Sequence, residues 1–274
     1  SPGVNADTGE IVLVNLLEVP HVKFIGAPGF GKSCLAASVL DQLTQTNDSR
    51  HVQLALLDCE HKTSKLFEQN ENIARVQVGN RIVDLVATHA DMVAVQLGFL
   101  KREMMRRAEL SESELDRQPV IIMYVEEMLS LQYEVDPKLL QQMVDDILIL
   151  AVRARKYRMF LLSCMQTDYS TTEMKVSQKM YRFRGAAAID PTAARAAGFQ
   201  NTDLVKANFA SGQKGQFVIE YPGFSNIVLV ASYDVKKKLQ QLEPSFGGRS
   251  SVHAPVANGE SDFETERDLS LIHI

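Results

Sequence analysis

The chain of 274 residues has only three cysteines, Cys34, Cys59 and Cys164, far apart and never in a CxxC pair. That scarcity excludes a disulfide framework and a cysteine-type zinc site. It suits a reducing, cytoplasmic compartment. No run approaches eighteen uninterrupted apolar residues, so no transmembrane segment is expected. The opening stretch SPGVNADTGE has neither the basic nor the apolar region of a signal peptide. HExxH and i, i+4 pairs are missing among the six histidines, His21, His51, His61, His89, His253 and His273. Each therefore reads as a surface or strand-end residue rather than a metal ligand. There is no GxSxG nucleophile elbow and no internal repeat. An excess of one charge is lacking too: 29 basic side chains meet 34 acidic ones, for a net −5. Residues 246–274 hold two arginines and five acids, −3 of that total, which leaves −2 on residues 1–245. A polyanion partner would need a local basic face or the charged interior of a ring.

What is present is ordinary globular composition, 45% apolar and 23% charged, in a length that suits one or two domains. Short apolar runs alternate with helical patterns. HVKFIGA (21–27) reads as a strand entering a glycine loop, and 33–43 as a helix with Leu35, Val39 and Leu43 on one face. VQLALLD (52–58) reads as a buried strand, HKTSKLFEQN as a polar helix and ARVQV (74–78) as a third strand. Residues 81–109 read as one long helix, its basic end (Lys101, Arg102, Arg106, Arg107) a solvated last turn that complements the helix dipole. PVIIMYVEE (119–127) is an apolar strand ending in two acids. A helix over 136–157 opens with Asp136 as cap and Pro137 at its first position, and Asp145-Asp146 sit on its solvated face. MFLLSCMQ (159–166) is another buried strand. RFRGAAAI, KGQFVIEY (214–221) and NIVLVASY (226–233) read as later strands, the last two joined by the turn PGFS. The pattern predicts an α/β domain over 1–243 with a mainly parallel sheet covered by helices on both faces. Residues 244–274, rich in Ser, Gly, Asn and acids, read as a disordered tail.

The sharpest motif is Gly26-Ala27-Pro28-Gly29-Phe30-Gly31-Lys32-Ser33, a match to G-x-x-x-x-G-K-[ST]. Glycines let successive N–H groups curl round a phosphate, and the following helix aims its positive end at the same anion. Lys32 adds charge at the β- and γ-phosphates, and the Ser33 hydroxyl suits Mg²⁺. The binding segment runs from Gly26 through Cys34, and the cofactors it predicts are ATP and Mg²⁺. Glu126 and Glu127 end the strand that would lie beside it. Adjacent residues at a strand end diverge in direction, which assigns Glu126 to the metal and Glu127 to polarising the attacking water. Gln166, ending the next strand, is placed to hydrogen-bond the γ-phosphate or that water. Asp58, ending strand 52–58, is a candidate for a similar part.

With these residues in place, the chain resembles the motor domain of FtsK/SpoIIIE-type DNA translocases, in the HerA–FtsK branch of P-loop ATPases. The resemblance spans about residues 8–235. It adds Thr8-Gly9-Glu10-Ile11-Val12 and Pro20-His21-Val22 before the loop, Asp58 after it, and Arg155 leading to Gln166. It ends with Arg182 or Arg184 and the segment Asp190 to Arg195. It implies a RecA-like fold and catalytic parts for Lys32, Glu127 and Gln166. Arg182, Arg184 and Arg195 become candidates for an arginine finger acting on a neighbour. The implied protein is a homo-oligomeric ring, usually a hexamer, that hydrolyses ATP to move double-stranded DNA. Conjugation-type relatives move plasmid DNA, and secretion-type relatives move protein. Pro28 and Phe30 stand where the family has Thr and Ser, Glu126 where it has Asp, and Met165 where it has Thr. These departures leave a nucleotide-binding module with little turnover as a further alternative.

Overall fold

The computed structural model describes residues 3–19, 21–127, 131, 134–166 and 180–230. The expected tail (244–274), the last residues of 226–233 and Pro20 lie outside these described residues. A short β1 (Val4–Asn5) precedes β2 (Val22–Gly26), which feeds through the glycine loop into α1 (Lys32–Thr46). Next come β3 (Val52–Leu57), β4 (Arg75–Val78), β5 (Arg81–Asp84), β6 (Val86–Ala87) and α2 (Ala90–Ala108). Then follow α3 (Glu112–Asp116), β7 (Val120–Glu126), α4 (Pro137–Arg153) and β8 (Met159–Met165). The described chain ends with β9 (Phe183–Ala187), α5 (Pro191–Ala196), α6 (Thr202–Ser211), β10 (Gln216–Tyr221) and β11 (Phe224–Leu229).

Nine strands form one sheet in the order β1-β11-β10-β9-β2-β8-β7-β3-β6. From β9 to β6 every neighbouring pair is parallel, and β10, β11 and β1 extend the sheet antiparallel. The continuous burial of β7 and β8 is what a central parallel strand requires, because helices cover both faces. On one face Leu35, Val39 and Leu43 of α1 pack with Phe24, Leu56 and Tyr124. On the other, Val93, Leu97 and Leu100 of α2 and Met143, Ile147 and Leu150 of α4 pack with Ala55, Met123 and Leu161. A third cluster joins Ala194 and Val205 of α5 and α6 to Ile25, Ala186 and Val218.

The order corrects one expectation directly. The strand with the two acids does not adjoin the loop strand, because β8 lies between β2 and β7. The expected helix over 81–109 begins only at Ala90. Gly79 and Asn80 instead turn the chain back, and Arg81–Asp84 pairs antiparallel with Arg75–Val78 as a separate ribbon. HKTSKLFEQN forms only a single 3-10 turn, Ser64–Leu66, whose entry is held by Asp58 through the N–H groups of Thr63 and Ser64. Arg107 is buried rather than solvated. It donates to Glu103 and to the carbonyls of Pro119 and Tyr157. Asp146 is likewise buried and accepts from Lys101 at 2.5 Å. His21 sits at a strand end as expected, yet it is only 2% exposed. The helix at 136–157 starts as read: Asp136 accepts from the N–H groups of Lys138 and Leu139.

Candidate functional site

The loop leaves β2 at the carboxyl end of the parallel strands, where open α/β sheets bind ligands. Gly26 is there because nothing larger fits: a Cβ would lie 1.9 Å from the Ala187 carbonyl oxygen of β9. Gly31 takes φ +98° as the N-cap of α1, a conformation that carries the chain from the loop into the helix. That cap has no side chain to satisfy the first N–H groups, and the first turn holds no acid. The helix therefore presents unpaired donors and the positive end of its dipole to whatever sits in the loop.

Lys32 is buried, and its Nζ donates to the carbonyls of Gly26 (2.8 Å) and Ala27 (3.1 Å). Burial lowers its pKa, against the pull of Cys164, Glu126 and Glu127. Ser33 Oγ donates to Glu126 Oε1 at 2.8 Å, so the loop reaches across β8 to the acid on β7. Glu126 is opposite Cys164 in register, and Cys164 is opposite Phe24. Burial pushes the Glu126 pKa up to about 7; the Ser33 hydroxyl works against this, while Asp58 and Glu60 add to it. Glu126 Oε2 is buried without a hydrogen bond.

Glu127 follows with φ +30°, which breaks the strand's alternation and swings its carboxylate to β8. There it accepts the backbone N–H of Gln166 at 2.6 Å, while its own N–H donates to Cys164 O at 3.0 Å. Burial raises the Glu127 pKa, and the Gln166 N–H pulls it back. The structure thus brings Lys32, Ser33, Glu126, Glu127 and Gln166 together. Gln166 enters through its backbone N–H. Of the rest of the segment, Ala27 and Phe30 are half-buried, Pro28 and Gly29 exposed. Cys34 is a free, half-buried thiol whose pKa burial raises. Phe30 O accepts from Gly215 N at 3.4 Å, which ties the loop to the turn before β10.

The residues fit a hydrated divalent cation. A hydroxyl and a carboxylate already meet, one carboxylate oxygen is orphaned, and Asp58 and Glu60 add negative charge.

The arginines lie elsewhere. Val22 is opposite Phe183 and Lys23 opposite Arg184, so Arg182 and Arg184 sit at the amino ends of the parallel strands. Three residues of strand separate Arg184 from the level of Gly26, about 10 Å. Arg182 and Arg195 are exposed; Arg184 is half-buried and faces Glu220 across β9–β10. Arg195 lies 3.4 Å from Thr202 Oγ1. Within one chain Arg182 and Arg184 are thus kept away from the loop. Sequence reasoning gave Asp58 a part without a partner: it is fully buried, and Oδ2 accepts the N–H groups of Thr63 and Ser64 at 2.8 Å each.

No protein-family model and no curated protein matches the sequence. Solved structures match in fold. The pCW3 conjugation coupling protein TcpA, in its monomer form with ATPγS, superposes with a TM-score of 0.65 at 17% identity, over 89% of this chain and 70% of that one. EccC of Thermomonospora curvata (ATPases 2 and 3, with a signal sequence peptide) gives 0.62 at 12%, over 84% of this chain and 40% of that one. VirB4 of Thermoanaerobacter pseudethanolicus gives 0.50 at 13%, over 87% and 97%. The shared architecture is a RecA-like α/β fold. No helix among the described residues is long and apolar enough to cross a membrane.

Proposed function

We propose that this chain binds ATP with Mg²⁺ and hydrolyses it as a motor, in an oligomeric ring acting on double-stranded DNA. The observation that carries the ATPase reading is the Ser33–Glu126 hydrogen bond beside Lys32, with Glu127 turned toward the same strand ends. The loop N–H groups and the amino end of α1 bind the phosphates. Lys32 moves its Nζ from the loop carbonyls to the phosphate oxygens. Ser33 and Glu126 hold Mg²⁺, which when bound neutralises phosphate charge. Glu127, with its raised pKa, accepts a hydrogen bond from the attacking water and so polarises it, and the Gln166 N–H fixes its orientation. Arg182, exposed and remote from its own loop, and Arg195, exposed on α5, are the residues a ring could offer to a neighbour's phosphates.

A polypeptide in place of DNA is the second reading. The near-neutral body and the fold likeness to EccC, solved with a signal sequence peptide, favour it.

Turnover with and without duplex DNA at low salt separates the two, because backbone binding weakens steeply as salt rises. DNA stimulation is expected. Equal turnover in both would favour the polypeptide reading. Glu127→Gln should lower turnover about 10²- to 10⁴-fold while ATP still binds, and Lys32→Ala should abolish binding. Unchanged turnover in Glu127→Gln would reject the assignment.

A further inference from the structure

We propose that Asp58 is a second carboxylate of the divalent-cation site, reached through cation-bound water beside Glu126. The proposal rests on the nucleotide-binding reading above.

β3 and β7 run parallel with Leu57 opposite Val125, and one more step of that register sets Asp58 beside Glu126. Alternation fixes the face. Leu56 and Tyr124, two residues earlier on each strand, belong to the cluster packed on α1. Asp58 and Glu126 therefore share the side on which Ser33 sits. Asp58 is completely buried, and its Oδ2 is satisfied by two N–H groups. Its Oδ1 has no hydrogen bond, and neither has Glu126 Oε2. Two neighbouring buried carboxylates, each with an orphaned oxygen, are costly unless a cation or donor stands between them. Lys32 is not that donor, since its Nζ is on the loop carbonyls. Glu60 is no rival for the site: it is exposed and pairs with Lys62 at 2.7 Å. Mg²⁺ keeps several of its waters when bound, and such a water supplies the donor that Asp58 Oδ1 lacks. A purely structural Asp58, pinning the turn at Thr63 and Ser64, explains Oδ2 alone.

Asp58→Asn separates the two roles. The amide oxygen still accepts from Thr63 and Ser64, while the charge and the second acceptor are gone. Binding of the fluorescent nucleotide mant-ADP is measured first in EDTA and then through a Mg²⁺ titration. Metal-free affinity should be no weaker than in the wild type, and the Mg²⁺ midpoint should rise about 10- to 100-fold. Equal midpoints would overturn the proposal and leave Asp58 a turn pin. A wild type that binds no mant-ADP even in EDTA would overturn the nucleotide reading itself. Thermal melts establish that the variant folds; where it does not, Asp58→Ser carries the same comparison.

Discussion

Replacing His21 tests the packing under the phosphate loop through pH. His21, just before β2, takes φ +60° and is 2% exposed. Its Nδ1 accepts the Leu161 N–H at 2.9 Å, which places the proton of the neutral ring on Nε2. Burial lowers its pKa from 6.5 to about 4, with the Ala151 carbonyl pulling upward and Arg155 adding to the fall. The unfolded chain takes up a proton near pH 6.5 and the folded one only near 4. The stabilisation is therefore whole above 6.5 and is lost as pH falls toward 4. A gap of this size corresponds to about 3 kcal/mol in full, most of it gone by pH 4.5. His21→Asn keeps an acceptor for Leu161 N–H, tolerates positive φ and cannot titrate. Urea unfolding of both proteins from pH 8 to 4.5 isolates the histidine from the carboxylates, which the two share. The wild type should lose about 2–3 kcal/mol more than the variant over that range. Parallel curves would refute the argument that a neutral, buried ring supports β2.

Two further substitutions test other parts of the fold. Gly26→Ala should cost at least about 3 kcal/mol or prevent folding, since its Cβ would meet the Ala187 oxygen at 1.9 Å; a melting temperature like the wild type's would show that β9 can give way. Arg107→Ala should cost about 3–5 kcal/mol, because Glu103 and two carbonyls lose a buried donor. Arg106→Ala removes an exposed partner of the same Glu103 and should cost below about 1 kcal/mol. Equal losses in chemical denaturation would mean that burial does not set the value of these contacts.

The strands around the site could be read because central parallel strands are apolar throughout, and the glycine loop because its residue types follow from phosphate geometry. The sequence shows the first strand of the ribbon but merges the second, Arg81–Asp84, into a helix for a physical reason. Residues 81–109 contain no proline, and the Gly79-Asn80 turn lies just before them. Ile82 and Val83, β-branched and exposed, were the available signal. Helices α5 and α6 are not among the expected elements although Asp190-Pro191 repeats the Asp136-Pro137 signal; Asp190 caps α5 through Thr192 N and Ala193 N as Asp136 caps α4 through Lys138 N and Leu139 N. The burial of Arg107 and Asp146 could not be read, because a basic helix end and a mid-helix acid look alike whether solvent or another helix faces them. Strand order was also beyond reach, since the sequence does not say that β8 enters between β2 and β7.

That insertion decides how the site is built. A parallel register carries side chains of one face across neighbouring strands at one level: Phe24 on β2, Cys164 on β8, Glu126 on β7, and Asp58 just past β3. The acid on β7 meets Ser33 across a β8 residue small enough to leave the path open. Cys164 is that residue, buried beneath the Lys32 carbonyl. A larger side chain at 164 would stand between hydroxyl and carboxylate, so the Ser33–Glu126 contact depends on a residue with no chemistry of its own. Glu127 cannot join this row by alternation and reaches the site only because its backbone turns to φ +30°. The two adjacent acids are thus separated by backbone conformation: one remains in the strand's row with the Ser33 hydroxyl, and the other leaves it for the end of β8, where it accepts the Gln166 N–H.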